Sequence, residues 1–157
     1  MLLTGEYYSR LDAKNRLVIP SKVREQIDVQ VEGSGWFLVP GFDGTISLYT
    51  PATFEKLAGR EKAELFRLED VRAYDRLHFA LSAHAEMDRL GRVLVPETTL
   101  RRAGIGKDVV VIGVRDHLEV WDAAKWEAFV AAKLGQYDEM ARKAYETELE
   151  DRRKSSS

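Results

Sequence analysis

One ten-residue segment occurs twice in this chain, and nothing else in the sequence restricts its fold as strongly. Leu11-Asp12-Ala13-Lys14-Asn15-Arg16-Leu17-Val18-Ile19-Pro20 returns as Met87-Asp88-Arg89-Leu90-Gly91-Arg92-Val93-Leu94-Val95-Pro96. The Asp, the Arg and the Pro are each displaced by 76 residues. The repeat continues downstream. Pro40-Gly41-Phe42-Asp43-Gly44-Thr45-Ile46-Ser47-Leu48-Tyr49 aligns with Ile112-Gly113-Val114-Arg115-Asp116-His117-Leu118-Glu119-Val120-Trp121, and Phe54 with Trp126, at a displacement of 72. Each copy is roughly 50 residues, too short to bury a good core alone. Two halves interlocked around one pseudo-symmetric core are therefore expected.

The local signals agree between copies. Residues 5–11 read as a strand, and Asp12 to Asn15 as a turn. There the Asp can accept from the backbone two residues on. Asn15 in one copy and Gly91 in the other both tolerate positive φ, which predicts one turn geometry for both. Leu17-Val18-Ile19 is the return strand, ended by Pro20. Ser21 is placed as the cap of a short helix to about Ile27, and its counterpart starts at Pro96 or Glu97 and stops at Gly104. Trp36 to Val39 and Val109 to Ile112 read as buried strands, Asp43-Gly44 as a hairpin, and 46–49 and 118–121 as alternating strands. Helices follow over 51–60, capped by Thr50-Pro51, and over 123–133, capped by Asp122. Residues 68–80 have helical spacing with no counterpart. Tyr137 to Lys154 is a charge-rich helical pattern, and Ser155 to Ser157 are expected to be disordered. Short strands, hairpins and small helices predict an α+β, mainly β chain: a barrel-like core decorated by helices. The organisation read from this is a first half at 5–60, a helical connector at 61–80, a second half at 81–134 and a charged tail at 135–157.

Composition excludes several classes. There are no cysteines, so no disulfide or thiol chemistry, which fits a reducing compartment. No run of 18 apolar residues is present, so no membrane span is expected. The first residues lack a basic region followed by an apolar stretch, which predicts no signal peptide. The expected location is the cytoplasm. His78, His84 and His117 are scattered and unaccompanied by Cys, so no metal site is expected. Gly104-Ile105-Gly106-Lys107 has the wrong spacing for a phosphate loop. No nucleophile elbow or paired catalytic motif is present, so neither an enzyme nor a cofactor is predicted. The formal net charge is only −2, but residues 10–24 hold Arg10, Lys14, Arg16, Lys22 and Arg24 against Asp12 alone. Local asymmetry of that kind matters more than the total.

Asp12-Ala13-Lys14-Asn15-Arg16 and Asp88-Arg89-Leu90-Gly91-Arg92, with Leu11, Leu17 to Pro20 and Val109 to Trp121 around them, resemble the MraZ family of the SpoVT-AbrB superfamily. The likeness covers roughly residues 1–135, and Asn15 stands where many members have Gly. It implies a tandem swapped-hairpin β-barrel. It also implies a bacterial transcriptional regulator, a repressor, that binds G-rich direct repeats in double-stranded DNA at the promoter of its own division and cell-wall operon. A homo-oligomeric ring and association with the nucleoid are implied as well. Arg can pair bidentately with guanine O6 and N7 in the major groove, which a two-stranded ribbon fits. Arg16 and Arg92 are accordingly assigned to base edges, and Lys14, Arg10 and Arg89 to phosphates. Asp12, Asn15, Asp88 and Gly91 shape the turns. Lys22, Arg24, Arg101 and Arg102 are read as a solvated face, and Trp36, Trp121 and Trp126 as core or interface. The competing reading is an antitoxin-like protein-interaction module of the same superfamily, with the tail as its arm.

Overall fold

In the computed structural model, residues 1–60 and 68–157 are described. They fall into two compact units, Met1–Ala123 and Ala124–Ser157. The first unit holds β1 (Glu6–Arg10), β2 (Arg16–Val18), α1 (Ser21–Arg24), α2 (Val29–Glu32), β3 (Trp36–Pro40), β4 (Ile46–Tyr49), α3 (Pro51–Arg60), α4 (Glu69–Ala80), β5 (Ala83–Ala85), β6 (Arg92–Leu94), α5 (Glu97–Ala103), β7 (Asp108–Val114) and β8 (His117–Asp122). The second holds most of α6 (Ala123–Lys133), a 3-10 turn and α7 (Tyr137–Ser155). Of the expected connector, residues 61–67 lie outside the described residues, and the remainder is α4.

The strands form a six-stranded antiparallel sheet, ordered β1-β7-β8-β4-β3-β5, and a separate ribbon, β2-β6. Exchanging the two copies reverses the sheet order and leaves it otherwise unchanged. β1 of the first copy pairs with β7 of the second, while β5 of the second pairs with β3 of the first. The first hairpin of each copy is thus exchanged onto the other, and neither half could close its core alone. A two-fold relation runs through the pairs Leu17↔Val93 and Ser47↔Glu119, in each of which a residue meets its own counterpart. Closure is where expectation and structure differ. β1 and β5 end the sheet, and no pairing joins them among the described residues. The barrel is not closed; a ribbon covers an open sheet instead.

Alternation explains how the ribbon is held. Leu17, Ile19, Val93 and Val95 point inward and are fully buried, in one cluster with Leu38, Leu48, Val109, Val111, Leu118 and Val120 of the sheet. Residues one step along, Val18 and Leu94, are exposed, as a period of two requires. The register also corrects the alignment of the copies. β3 matches β7 at a displacement of 73, Trp36 with Val109 and Leu38 with Val111, because the hairpin after β7 is one residue shorter. Asp43 and Gly44 turn the longer hairpin with φ of 60° and 73°.

Other boundaries move for local reasons. Pro20 is the N-cap of α1, so Ser21 is inside the helix and caps nothing. The chain then breaks at Asp28, whose carboxylate accepts from Gln30 N–H at 3.0 Å and starts α2. Asp122 lies in β8, where its Oδ1 accepts from Gly106 N–H. Ser155 belongs to α7. The three histidines are not scattered. His84 meets Phe37, His117 stacks on Tyr49, and His78 lies against Phe54 and Phe79, all in one aromatic cluster. That cluster draws on both copies, and its Tyr49 and Phe54 stand where the second copy has Trp121 and Trp126. Trp36 and Trp121 are core residues.

Candidate nucleic-acid interface

Both repeated turns are built by their aspartate. Asp12 Oδ1 accepts from Lys14 N–H and Arg16 N–H, each at 2.9 Å, and Oδ2 accepts from Arg16 Nε at 2.6 Å. Asp88 does the same: Oδ1 accepts from Leu90 N–H and Arg92 N–H at 2.9 and 3.0 Å, and Oδ2 from Arg92 Nε at 2.8 Å. Asn15 N–H and Gly91 N–H close the turns onto Asp12 O and Asp88 O, each at 3.0 Å. Asn15 has φ 61° and Gly91 φ 74°. The shared geometry expected from those two residues is present. The turns also brace each other, since Ile19 N–H donates to Gly91 O and Val95 N–H to Asn15 O.

Three donors per carboxylate favour the charged form. The Arg16 backbone N–H is the largest cause at Asp12, with the Arg16 side chain and Lys14 N–H adding to it against partial desolvation. Together they bring the Asp12 pKa down to about 2. Asp88 is lowered by the equivalent donors on Arg92 and Leu90. A carboxylate with a folded pKa below its unfolded value stabilises fully above the unfolded value, and that contribution is lost as pH falls through the folded one. The unfolding midpoint should therefore drop as pH falls from about 4 toward 2. D12N/D88N should be less stable at neutral pH and show a shallower acid limb. Urea unfolding across that range checks this.

The β2-β6 ribbon carries these turns at its two ends. Arg16 sits opposite Leu94, and Val18 opposite Arg92. Its outer face is thus a block of two arginines on one diagonal and two apolar residues on the other. Val18 and Leu94 are 43% and 56% exposed, while the Arg16 and Arg92 side chains are 33% and 25% exposed. Arg92 Nη1 also comes within 3.9 Å of Asp12 Oδ2, which joins both Asp–Arg units into one cluster. Within each turn the aspartate engages its own arginine through Nε, which orients the guanidinium, while Arg92 Nη1 additionally faces Asp12.

The remaining cations divide. Lys14 and Arg89 are exposed at the turn tips. Arg10 ends β1, two residues before Asp12, and pairs with Asp108 at 2.8 Å. Both partners are well exposed, so that pair is worth only about 0–1 kcal/mol. Two further cations escaped the sequence reading. Lys107 Nζ donates to Asp12 O at 3.1 Å and Asn15 Oδ1 at 2.5 Å, locking the first turn from the second copy. Arg24 donates from Nε to Ile19 O, and a Cβ on Gly91 would come within 2.7 Å of its Cζ. The Arg24 guanidinium therefore lies over the second turn and is not part of a solvated face. The one available signal was the Asn15/Gly91 difference: an amide asks for a partner, and a missing side chain leaves room for one.

The family model described as MraZ protein, antitoxin-like, matches residues 2–77 and 79–150, one match over each copy. Relatives named Transcriptional regulator MraZ are similar along most of the chain. The protein from Acetivibrio thermocellus is 39% identical over 125 residues, 80% of this chain and 84% of its own. That from Mycoplasmoides gallisepticum is 36% identical, covering 89% and 95%. That from Clostridium tetani is 33% identical, covering 92% and 98%.

Proposed function

The chain belongs to the MraZ family, and from that premise we propose that it is a sequence-specific DNA-binding transcriptional regulator whose β2-β6 ribbon and two turns face the DNA. The observation that carries this reading is the pair of arginines, each held by its own aspartate, on one diagonal of the ribbon's outer face. A two-stranded ribbon fits the major groove, and an arginine fork matches guanine O6 and N7. Fixing Nε in advance removes part of the ordering cost of binding. Lys14 and Arg89 supply phosphate contacts that set the register. Arg10, spent on Asp108, contributes less. The overall charge of −2 is no obstacle when the basic groups share one face.

The finer reading is repression through G-rich direct repeats in the promoter of the protein's own division and cell-wall operon. In it, a homo-oligomeric ring in the cytoplasm, on the nucleoid, presents ribbons to successive repeats. Linked contacts of that kind raise affinity without new chemistry. The antitoxin-like description of the family favours a second reading, a module that binds a protein partner. Salt separates the two. Binding of the fragment upstream of the protein's own gene should weaken steeply with added salt. Lys14→Ala should reduce the slope by about one per engaged chain and weaken promoter and scrambled duplexes alike. A titration in which neither duplex binds at low salt would remove the DNA reading and leave the protein partner.

A further inference from the structure

We propose that the chain sits on its DNA site in one orientation only, and that the unlike tips of the two turns, Ala13-Lys14 and Arg89-Leu90, set that orientation. The proposal rests on the DNA reading of the ribbon. The frame of the two turns is two-fold symmetric. Leu17 pairs with its counterpart Val93, and the braces Ile19 N–H to Gly91 O and Val95 N–H to Asn15 O exchange with each other. The Asp and Arg geometry is the same at both ends. A head with that symmetry presents the same groups to both DNA strands, reads an inverted repeat, and binds either way round.

The tips break the symmetry. Positions 13 and 89 are equivalent and hold Ala and Arg; positions 14 and 90 hold Lys and Leu. All four residues are exposed. The cation is therefore displaced by one residue between the turns and changes from a point charge to a planar fork. Where the first turn offers an ammonium, the second offers an apolar side chain suited to a thymine methyl. Lys107 behind one turn and Arg24 over the other add to the difference. The two half-sites read by one chain thus differ, and the site is not a palindrome.

The chain contains no cysteine, so one introduced thiol can carry an iron–EDTA cleaver. Ser21→Cys on α1 and Glu97→Cys on α5 are exposed and occupy matching positions in the two copies. On a duplex cut down to a single repeat of the stretch that the full chain protects in the fragment upstream of its own gene, each should cut one flank, and opposite flanks from each other. A bias of roughly fivefold or more is expected, the discrimination of a single good base contact. A13R/K14L, which makes both tips Arg-Leu, should bring the bias to near one. R89A/L90K, which makes both tips Ala-Lys, should do the same, so a folding defect in one variant does not decide the matter. Equal cutting of both flanks by the chain with its own tips overturns the proposal, as does a bias that survives both exchanges. Failure of the underlying reading looks different: no protected stretch at all, which takes the orientation proposal with it.

Discussion

Leu17→Ala should lower the unfolding free energy by about 2–5 kcal/mol, the cost of a cavity in a packed core. Val18→Ala, one residue along, should change it by less than about 1 kcal/mol. Leu17 is fully buried on the two-fold, opposite Val93 and in one cluster with the sheet residues Leu118 and Val120. With Ile19, Val93 and Val95 it fastens the ribbon to the core. Val18 faces out. Urea unfolding at one fixed chain concentration measures both, since association shifts apparent stability. A shifted midpoint at constant slope is the expected form. Equal effects of the two substitutions would mean that the ribbon does not lie on the core in this register.

R16K/R92K should reduce affinity for the promoter fragment by roughly thirtyfold or more, from two lost bidentate contacts at about 1–3 kcal/mol each. Affinity for a scrambled duplex should change by less than about threefold, because the charge is kept and only the fork is lost. The salt dependence should stay nearly the same, since about as many phosphates are neutralised. This outcome separates base reading from charge attraction, which an alanine variant alone does not. Parallel competition titrations on the two duplexes give the ratio directly. An equal loss on both duplexes would place Arg16 and Arg92 on the backbone rather than on the bases.

The parts of this architecture that can be read from the chain are those where chemistry is local. Asp12 and Asp88 build their turns from donors two and four residues away, and Asn15 and Gly91 announce positive φ by their type. The interlock followed from size, because a copy of this length cannot enclose its own core. Register is not local. A one-residue difference in the hairpin after β7 moves the match of β3 and β7 from 72 to 73, and the pairing of β1 with β7 and of β5 with β3 reveals it. Closure of the barrel failed for a related reason: it depends on whether the edge strands β1 and β5 meet, which no residue pattern states. Lys107 and Arg24 escaped because long cationic side chains act at a distance from their own positions, each on the turn of the other copy. The histidines looked unrelated because the aromatic cluster collects them from α4, β5 and β8.

The most direct test of the account is fluorescence anisotropy of the fragment upstream of this protein's own gene, at two salt concentrations, against a scrambled duplex of the same length. The chain as it is and R16A/R92A would be compared, with the assembly state of both checked by light scattering. The account predicts tight, salt-sensitive binding that prefers the promoter fragment, and loss of that preference in R16A/R92A with its assembly intact. Equal binding of both duplexes by the unaltered chain, or a preference that survives in R16A/R92A, would contradict it.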